Sequence, residues 1–135
     1  MIIVACLDDK GGMMFNHRRQ SQDRVLRTHL LELAAGHSIW MSQYSAGQFD
    51  AAQTQNINVD DAFLEKAGHS DYCFIESSVQ GVEVADVERV ILFKWNRIYP
   101  ADAYFDFSLA GWTLTASQEF EGSSHDKITM EVYEK

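Results

Sequence analysis

The sequence predicts an α/β fold: a mixed sheet flanked by helices and closed by a C-terminal antiparallel hairpin. Three observations predict it. Short continuous apolar runs at residues 2–7, 71–75 and 90–93 read as buried strands, because both faces of each run are apolar. Helix-period segments at residues 23–35 and 59–67 fall between the first two of these strands. Two segments that alternate apolar and polar residues, 112–115 and 128–132, read as a pair of antiparallel strands. The length, 135 residues, suits one domain over residues 1–135. A chain of that size buries roughly two thirds of its unfolded surface and needs no covalent staples.

Each element has a local reason. Ile2-Ile3-Val4-Ala5-Cys6-Leu7 is rich in β-branched residues and reads as a central strand. Asp8-Asp9-Lys10-Gly11-Gly12 ends it as a turn, and residues 13–22 lack periodicity and read as an irregular loop. In residues 23–35, Leu26, Leu30 and Leu33 recur at helical spacing, with Val25 and Ala34 widening the stripe. Ser21 or Asp23 suits its N-cap, and Gly36 its C-terminal stop. Residues 38–41 read as a second strand, 45–49 as the start of a short helix and 50–58 as a polar connection. Residues 77–87 are ambiguous between loop and short helix. The span 95–105 holds Pro100, so it bends or runs along an edge.

Composition narrows the function. The net charge of −9 argues against general nucleic-acid binding and against an anionic membrane surface, while leaving room for a local arginine pair to hold an anionic ligand. Cys6 and Cys73 both lie in apolar runs, which suits buried free thiols and a reducing cytoplasm. No signal peptide or membrane-spanning run is read in the sequence.

Asp23 is a carboxylate at the mouth of a strand-to-helix loop, able to bind a cationic or amidine-like group or to transfer a proton; the pattern alone favours a helix cap. Arg18 and Arg19 suit a carboxylate or phosphate, against a solvated basic patch as the plainer role. His17, His29, His37, His69 and His125 are scattered, so no metal site is expected. There is no GxSxG, P-loop or GxGxxG. Ser123-Ser124-His125-Asp126 holds the residue types of a hydrolytic triad, but neighbours in sequence rarely face one another as a triad requires. Trp40, Trp95 and Trp112 suit core positions or pocket walls.

Taken together these residues resemble dihydrofolate reductase. Ile3-Val4-Ala5 and Asp9-Lys10-Gly11-Gly12-Met13 are similar to that family's first strand and mobile active-site loop. Asp23 resembles its single acidic pterin-binding residue, and Ile39-Trp40-Met41 the strand before its cofactor-binding helix. Val59-Asp60-Asp61-Ala62 with Tyr72-Cys73-Phe74-Ile75 resembles the later helix and strand. Ile91-Leu92 through Ala101-Asp102 to Phe105 runs in register, with Asp102 in place of the aspartate of a Gly-Asp pair, and residues 122–133 resemble the closing hairpin strand.

The departures fall on the cofactor side. Glu76 and Ser77 stand where the family has a Gly-Gly pair that lets backbone approach the pyrophosphate. Ser42-Gln43-Tyr44-Ser45 replaces the family's Gly-Arg-x-Thr. The segment between Phe49 and Val59 is shorter, removing at least one strand and much of the adenosine site. Phe93 replaces a threonine, and the Arg18-Arg19 region replaces the Pro-Trp of the mobile loop.

The resemblance therefore implies a dihydrofolate reductase-like fold, shortened in its adenosine-binding part, that has lost NADPH-dependent reduction. The expected ligand is a small pterin- or nucleotide-like heterocycle held by Ala5, Met13, Arg18, Arg19, Asp23, Trp40 and Phe93, with Asp23 catalytic only if activity is retained. No cofactor-binding residues and no metal are expected. The alternatives are a divergent NAD(P)H oxidoreductase, with NADPH as cofactor, and a non-catalytic interaction scaffold. No nucleic-acid or membrane partner is expected, and a sheet edge left uncovered by the shortening would allow a homodimer.

Overall fold

The computed structural model describes residues 1–50, 56–79 and 81–135. The chain runs β1 (Ile2–Leu7), β2 (Gly12–Phe15), β3 (Arg18–Arg19), α1 (Arg24–Leu33), β4 (Ile39–Met41), α2 (Gln43–Ala46), β5 (Ile57–Val59), α3 (Phe63–Lys66), β6 (Tyr72–Ile75), a 3₁₀ turn (Val84–Asp86), β7 (Arg89–Lys94), β8 (Ala103–Tyr104), β9 (Thr113–Phe120) and β10 (Ile128–Glu134). Among the described residues these form a seven-stranded sheet, ordered β5-β4-β6-β1-β7-β10-β9, and a small sheet ordered β3-β2-β8.

Strands β5, β4, β6, β1 and β7 are parallel. Both faces of β1 and β6 are covered, as their continuous apolar sequences require. One face packs Val4, Phe74, Ile91 and Phe93 against Leu26, Leu30 and Ala34 of the α1 segment. The other packs Ile3, Ala5, Ile75 and Leu92 against Met13, Phe63 and Phe107. The helix stripe read from the sequence is the buried one, with Leu26 and Leu30 at its centre. Strands β10 and β9 add antiparallel to β7, which confirms the C-terminal hairpin.

Four expectations change. Residues 13–22 were expected as an irregular loop, but Gly12–Phe15 and Arg18–Arg19 form the β2–β3 hairpin. Its two turn residues, Asn16 and His17, both have positive φ (52° and 62°), the geometry of a tight primed turn. Asn-His is not a common pair for that turn, so the hairpin left little signal in the sequence. Residues 57–59, expected partly as connection and partly as helix, form the edge strand β5 beside β4, and only Phe63–Lys66 of the expected helix is helical. Strand β9 runs to Phe120, well beyond the four residues expected. Residues 51–55 of the expected polar connection, and Gln80 in the ambiguous stretch, lie outside the described residues. Cys6 and Cys73 are free thiols, Cys73 fully buried and Cys6 half-buried. No helix among the described residues is long and apolar enough to cross a membrane.

Candidate functional site

The parallel strands β4, β6, β1 and β7 end on the same side of the sheet, and the next residues, Ser42, Glu76, Asp8 and Trp95, rim that side. In open parallel sheets this is where ligands bind, at the point where successive connections leave to opposite sides. Here β1 lies between β6 and β7, so the crevice opens beside its C-terminal end.

Asp8 organises the loop that follows β1. Its carboxylate accepts the backbone N–H of Gly12 and of Lys10, both at 2.8 Å, and the Gln20 side-chain amide at 3.0 Å. Burial pulls the Asp8 carboxyl upward, and these donors more than offset it, leaving the group below the usual carboxylate range. The loop leads into the β2–β3 hairpin, which carries Arg19 across the crevice.

Arg19 is latched to Glu76. Its Nε donates to Glu76 Oε2 at 2.9 Å and its Nη2 to Oε1 at 3.2 Å, a side-on pairing of guanidinium and carboxylate. The guanidinium carbon lies 4.4 Å from the centre of the Tyr44 ring, and Nη2 also donates to the Tyr44 carbonyl at 3.2 Å. The Arg19 backbone N–H donates to the Tyr44 hydroxyl at 3.0 Å, and Gln48 Nε2 donates to Glu76 Oε1 at 3.2 Å. Burial works against the Arg19 charge, but Glu76 outweighs it and holds the guanidinium's pKa above its ordinary value. The Cys6 thiol is pushed well above its ordinary value, by burial first and then by the Glu76 charge.

Two cavities border this bridge. One, of about 290 Å³, is lined by Met14, His17, Ser42, Tyr44, Glu76 and Ser77 among others. The second, of about 320 Å³, is lined by Phe15, Arg18, Arg19, Gln20, Tyr99 and Pro100 among others. Each is at the small end of ligand-pocket size.

Asp23 sits elsewhere. It is 2 % exposed and is the N-cap of α1, its Oδ1 accepting the Val25 and Leu26 N–H groups at 2.9 and 3.2 Å. The same carboxylate accepts the backbone N–H of Ser123 and of Ser124 from the β9–β10 turn, at 3.0 and 2.9 Å, and the Ser124 hydroxyl at 3.2 Å. His125 Nδ1 completes the set at 3.1 Å from Oδ2. Burial pushes the Asp23 carboxyl up, but the Ser124 and Ser123 N–H groups, His125 and Leu26 overcome it and drive the pKa far below the usual carboxylate range.

The residues expected to hold a ligand are thus distributed. Arg19 is central to the crevice, and Arg18 is exposed on the wall of the second cavity. Asp23 lines none of the cavities described and is occupied by protein donors. Phe93 is fully buried on the α1 face, while Ala5, Met13 and Trp40 belong to the opposite face. Trp40 Nε1 donates to Asp71 at 3.1 Å. The reading of the sequence missed Tyr99 and the part played by Tyr44 and Gln48. Glu76, noted there only as a departure, is the hub of the crevice. Among the described residues no group of three His, Cys, Asp or Glu side chains converges as a metal site.

No family model and no curated protein matches the chain. The fold and the crevice at the end of its parallel strands define an α/β protein of dihydrofolate reductase-like architecture. Among solved structures, the chain is similar to dihydrofolate reductase from Enterococcus faecalis, determined in complex with NADP(H) and RAB-propyl. The TM-score is 0.70 with 9 % identity, covering 98 % of this chain and 94 % of that one. The likeness is one of fold.

Proposed function

We propose that this protein is a dihydrofolate reductase-fold protein that no longer carries out NADPH-dependent reduction and binds a small pterin- or nucleotide-like heterocycle in the crevice. The observation that carries the reading is the Arg19–Glu76 bridge over Tyr44. A dinucleotide pyrophosphate needs exposed donors and open backbone at the end of the central strand. This chain offers a carboxylate there, and its neighbouring guanidinium is already paired to it. The cavity beside it is lined by the polar neutral side chains of Ser42, Tyr44 and Ser77, with His17 and Glu76. Those groups suit the edge of a planar, hydrogen-bonding heterocycle better than a phosphate pair. Tyr44 supplies a stacking face. A hydride-transfer enzyme must hold its nicotinamide against the substrate, and the Arg19–Glu76 pair at the end of the central strands speaks against a phosphate-anchored cofactor there.

The test is a titration of the purified chain with NADPH, a folate and a pterin, read by tryptophan fluorescence and thermal midpoint. The expected result is no response to micromolar NADPH and stabilisation by the pterin. Glu76→Gln is expected to weaken pterin binding about tenfold, the scale of one hydrogen bond to a charged group. Micromolar NADPH binding would overturn the loss of cofactor. Silence from pterins as well as from NADPH would overturn the ligand class.

The scaffold reading has one observation in its favour. Strand β9 is the sheet edge, and all but the last of its eight residues are exposed, Leu114 to 48 %. Pairing of β9 with a second copy would bury that ladder. Sedimentation velocity across a hundredfold range of concentration is expected to give dimer at the upper end under this reading, and monomer throughout without it.

A further inference from the structure

His125 is 4 % exposed. Its imidazole stacks on Trp95 with ring centres 4.4 Å apart. Nδ1 faces Asp23 Oδ2 at 3.1 Å, with the Ser124 hydroxyl at 3.3 Å. An ionised carboxylate only accepts, so Nδ1 carries a proton, and the neutral imidazole then presents its lone pair at Nε2. That lone pair meets two hydroxyls, Ser21 Oγ at 3.1 Å and Tyr99 OH at 2.9 Å. The order carboxylate, imidazole, serine hydroxyl is that of a nucleophilic triad. The sequence placed Ser123, Ser124 and Asp126 beside His125, but the fold takes the serine and the carboxylate from residues 21 and 23, which the α1 cap brings against the β9–β10 turn.

Two further observations separate this group from a sealed polar core. Ser21 is half-buried, not enclosed. Its chain neighbour Gln20 and its co-donor Tyr99 both line the cavity of about 320 Å³. That cavity has apolar walls in Phe15 and Pro100 and a guanidinium at Arg18.

We propose that Ser21, His125 and Asp23 form an acyl-transfer site acting on small esters whose acyl group lies in the Phe15–Tyr99–Pro100 cavity. Ser21 Oγ attacks the ester carbonyl as its proton passes to His125 Nε2. The carbon–oxygen bond to the alcohol then breaks, and the imidazolium returns the proton to the departing alkoxide. Water, deprotonated by the same nitrogen, attacks the acyl-serine carbonyl; the bond to Ser21 Oγ breaks, the imidazolium returns the proton to Oγ, and the carboxylic acid leaves. Asp23 is a positioning residue that fixes the tautomer and stabilises the imidazolium. Tyr99 OH competes with Ser21 for Nε2 in the resting protein and is free to donate to the carbonyl oxygen once the proton has moved.

The experiment treats the full chain with an alkyl fluorophosphonate and maps the adduct by peptide mass, then measures hydrolysis of p-nitrophenyl acetate and butyrate. The expected result is one adduct, on Ser21. Ser21→Ala is expected to keep its thermal midpoint, lose the adduct and lower hydrolysis by about a hundredfold. Tyr99→Phe, which removes the donor to the carbonyl oxygen, is expected to label more slowly than the parent. A folded protein with no adduct, an adduct on any other residue, or equal hydrolysis by Ser21→Ala overturns the proposal, and the network is then a structural clamp.

Discussion

The Asp23 carboxylate ties the first turn of α1 to the β9–β10 turn. Its position before a helix-period segment is compatible both with a cap and with a ligand-binding acid, and the two differ only in where the side chain turns. It turns back to the first turn of α1 and to the β9–β10 turn. The cap is local and the pattern favoured it, but the hold on the β9–β10 turn depends on residues about 100 positions away, which no local pattern encodes. Replacing Asp23 by Asn puts an amide donor among N–H donors, and should cost about 2–3 kcal/mol, the scale of hydrogen bonds to a charged group. Urea denaturation of the variant checks this. The pH dependence follows from the same contacts. Because the folded pKa is depressed, the stabilisation is complete above the unfolded value of about 3.9 and is lost as pH falls towards the folded value. Stability of the parent should therefore fall below about pH 5, and Asp23→Asn should flatten that fall. Arg19 teaches the complementary lesson. Arg19 was expected to hold the carboxylate or phosphate of a ligand, and in the fold it is paired with Glu76 of the same chain.

At the scale of elements, strands whose residues are apolar on both faces were legible with small boundary errors, as in β1, β6 and β7. So was α1, whose stripe reaches the core through Leu26 and Leu30. Strand β5 and the β2–β3 hairpin were not, because Ile57–Val59 is three residues long and Asn16-His17 lacks the glycine that signals a primed turn. The β9–β10 turn holds a position with no spare room. A Cβ on Gly122 would lie 2.4 Å from Asp23 Oδ2 and 2.9 Å from Ile128 Cδ1. Gly122→Ala must displace either the carboxylate or the turn, and should destabilise by about 1–3 kcal/mol, the usual cost of overpacking. Its denaturation midpoint, measured beside that of Gly36→Ala, separates crowding from backbone strain. Gly36 has φ +82° and open space around it, so only its conformation opposes a side chain.

For the whole molecule, the mixed sheet was visible in the order of elements, and the resemblance that supplied the architecture is matched by a solved dihydrofolate reductase at 9 % identity. The candidate site was less legible, because the crevice is made where four strand ends meet and its hub, Glu76, carries no local motif. The net charge of −9 acts at this scale too. Self-repulsion among the carboxylates opposes the compact state and is screened over roughly 10 Å at 0.1 M salt. Raising sodium chloride from low to moderate concentration should increase the thermal midpoint, and a decrease would point to the ion pairs as the larger electrostatic contribution.

Strand β1 is flanked by β6 and β7, with register contacts from Ile2↔Tyr72 to Leu7↔Lys94. During synthesis β1 precedes both of its neighbours, which follow about seventy to ninety residues later. An apolar segment must therefore wait, unpaired, for most of the chain to be translated. Such long-range closure slows folding and leaves a sticky strand exposed meanwhile. Truncated nascent chains that stop before Lys94 should be the ones that chaperones hold, and release should coincide with the emergence of β7.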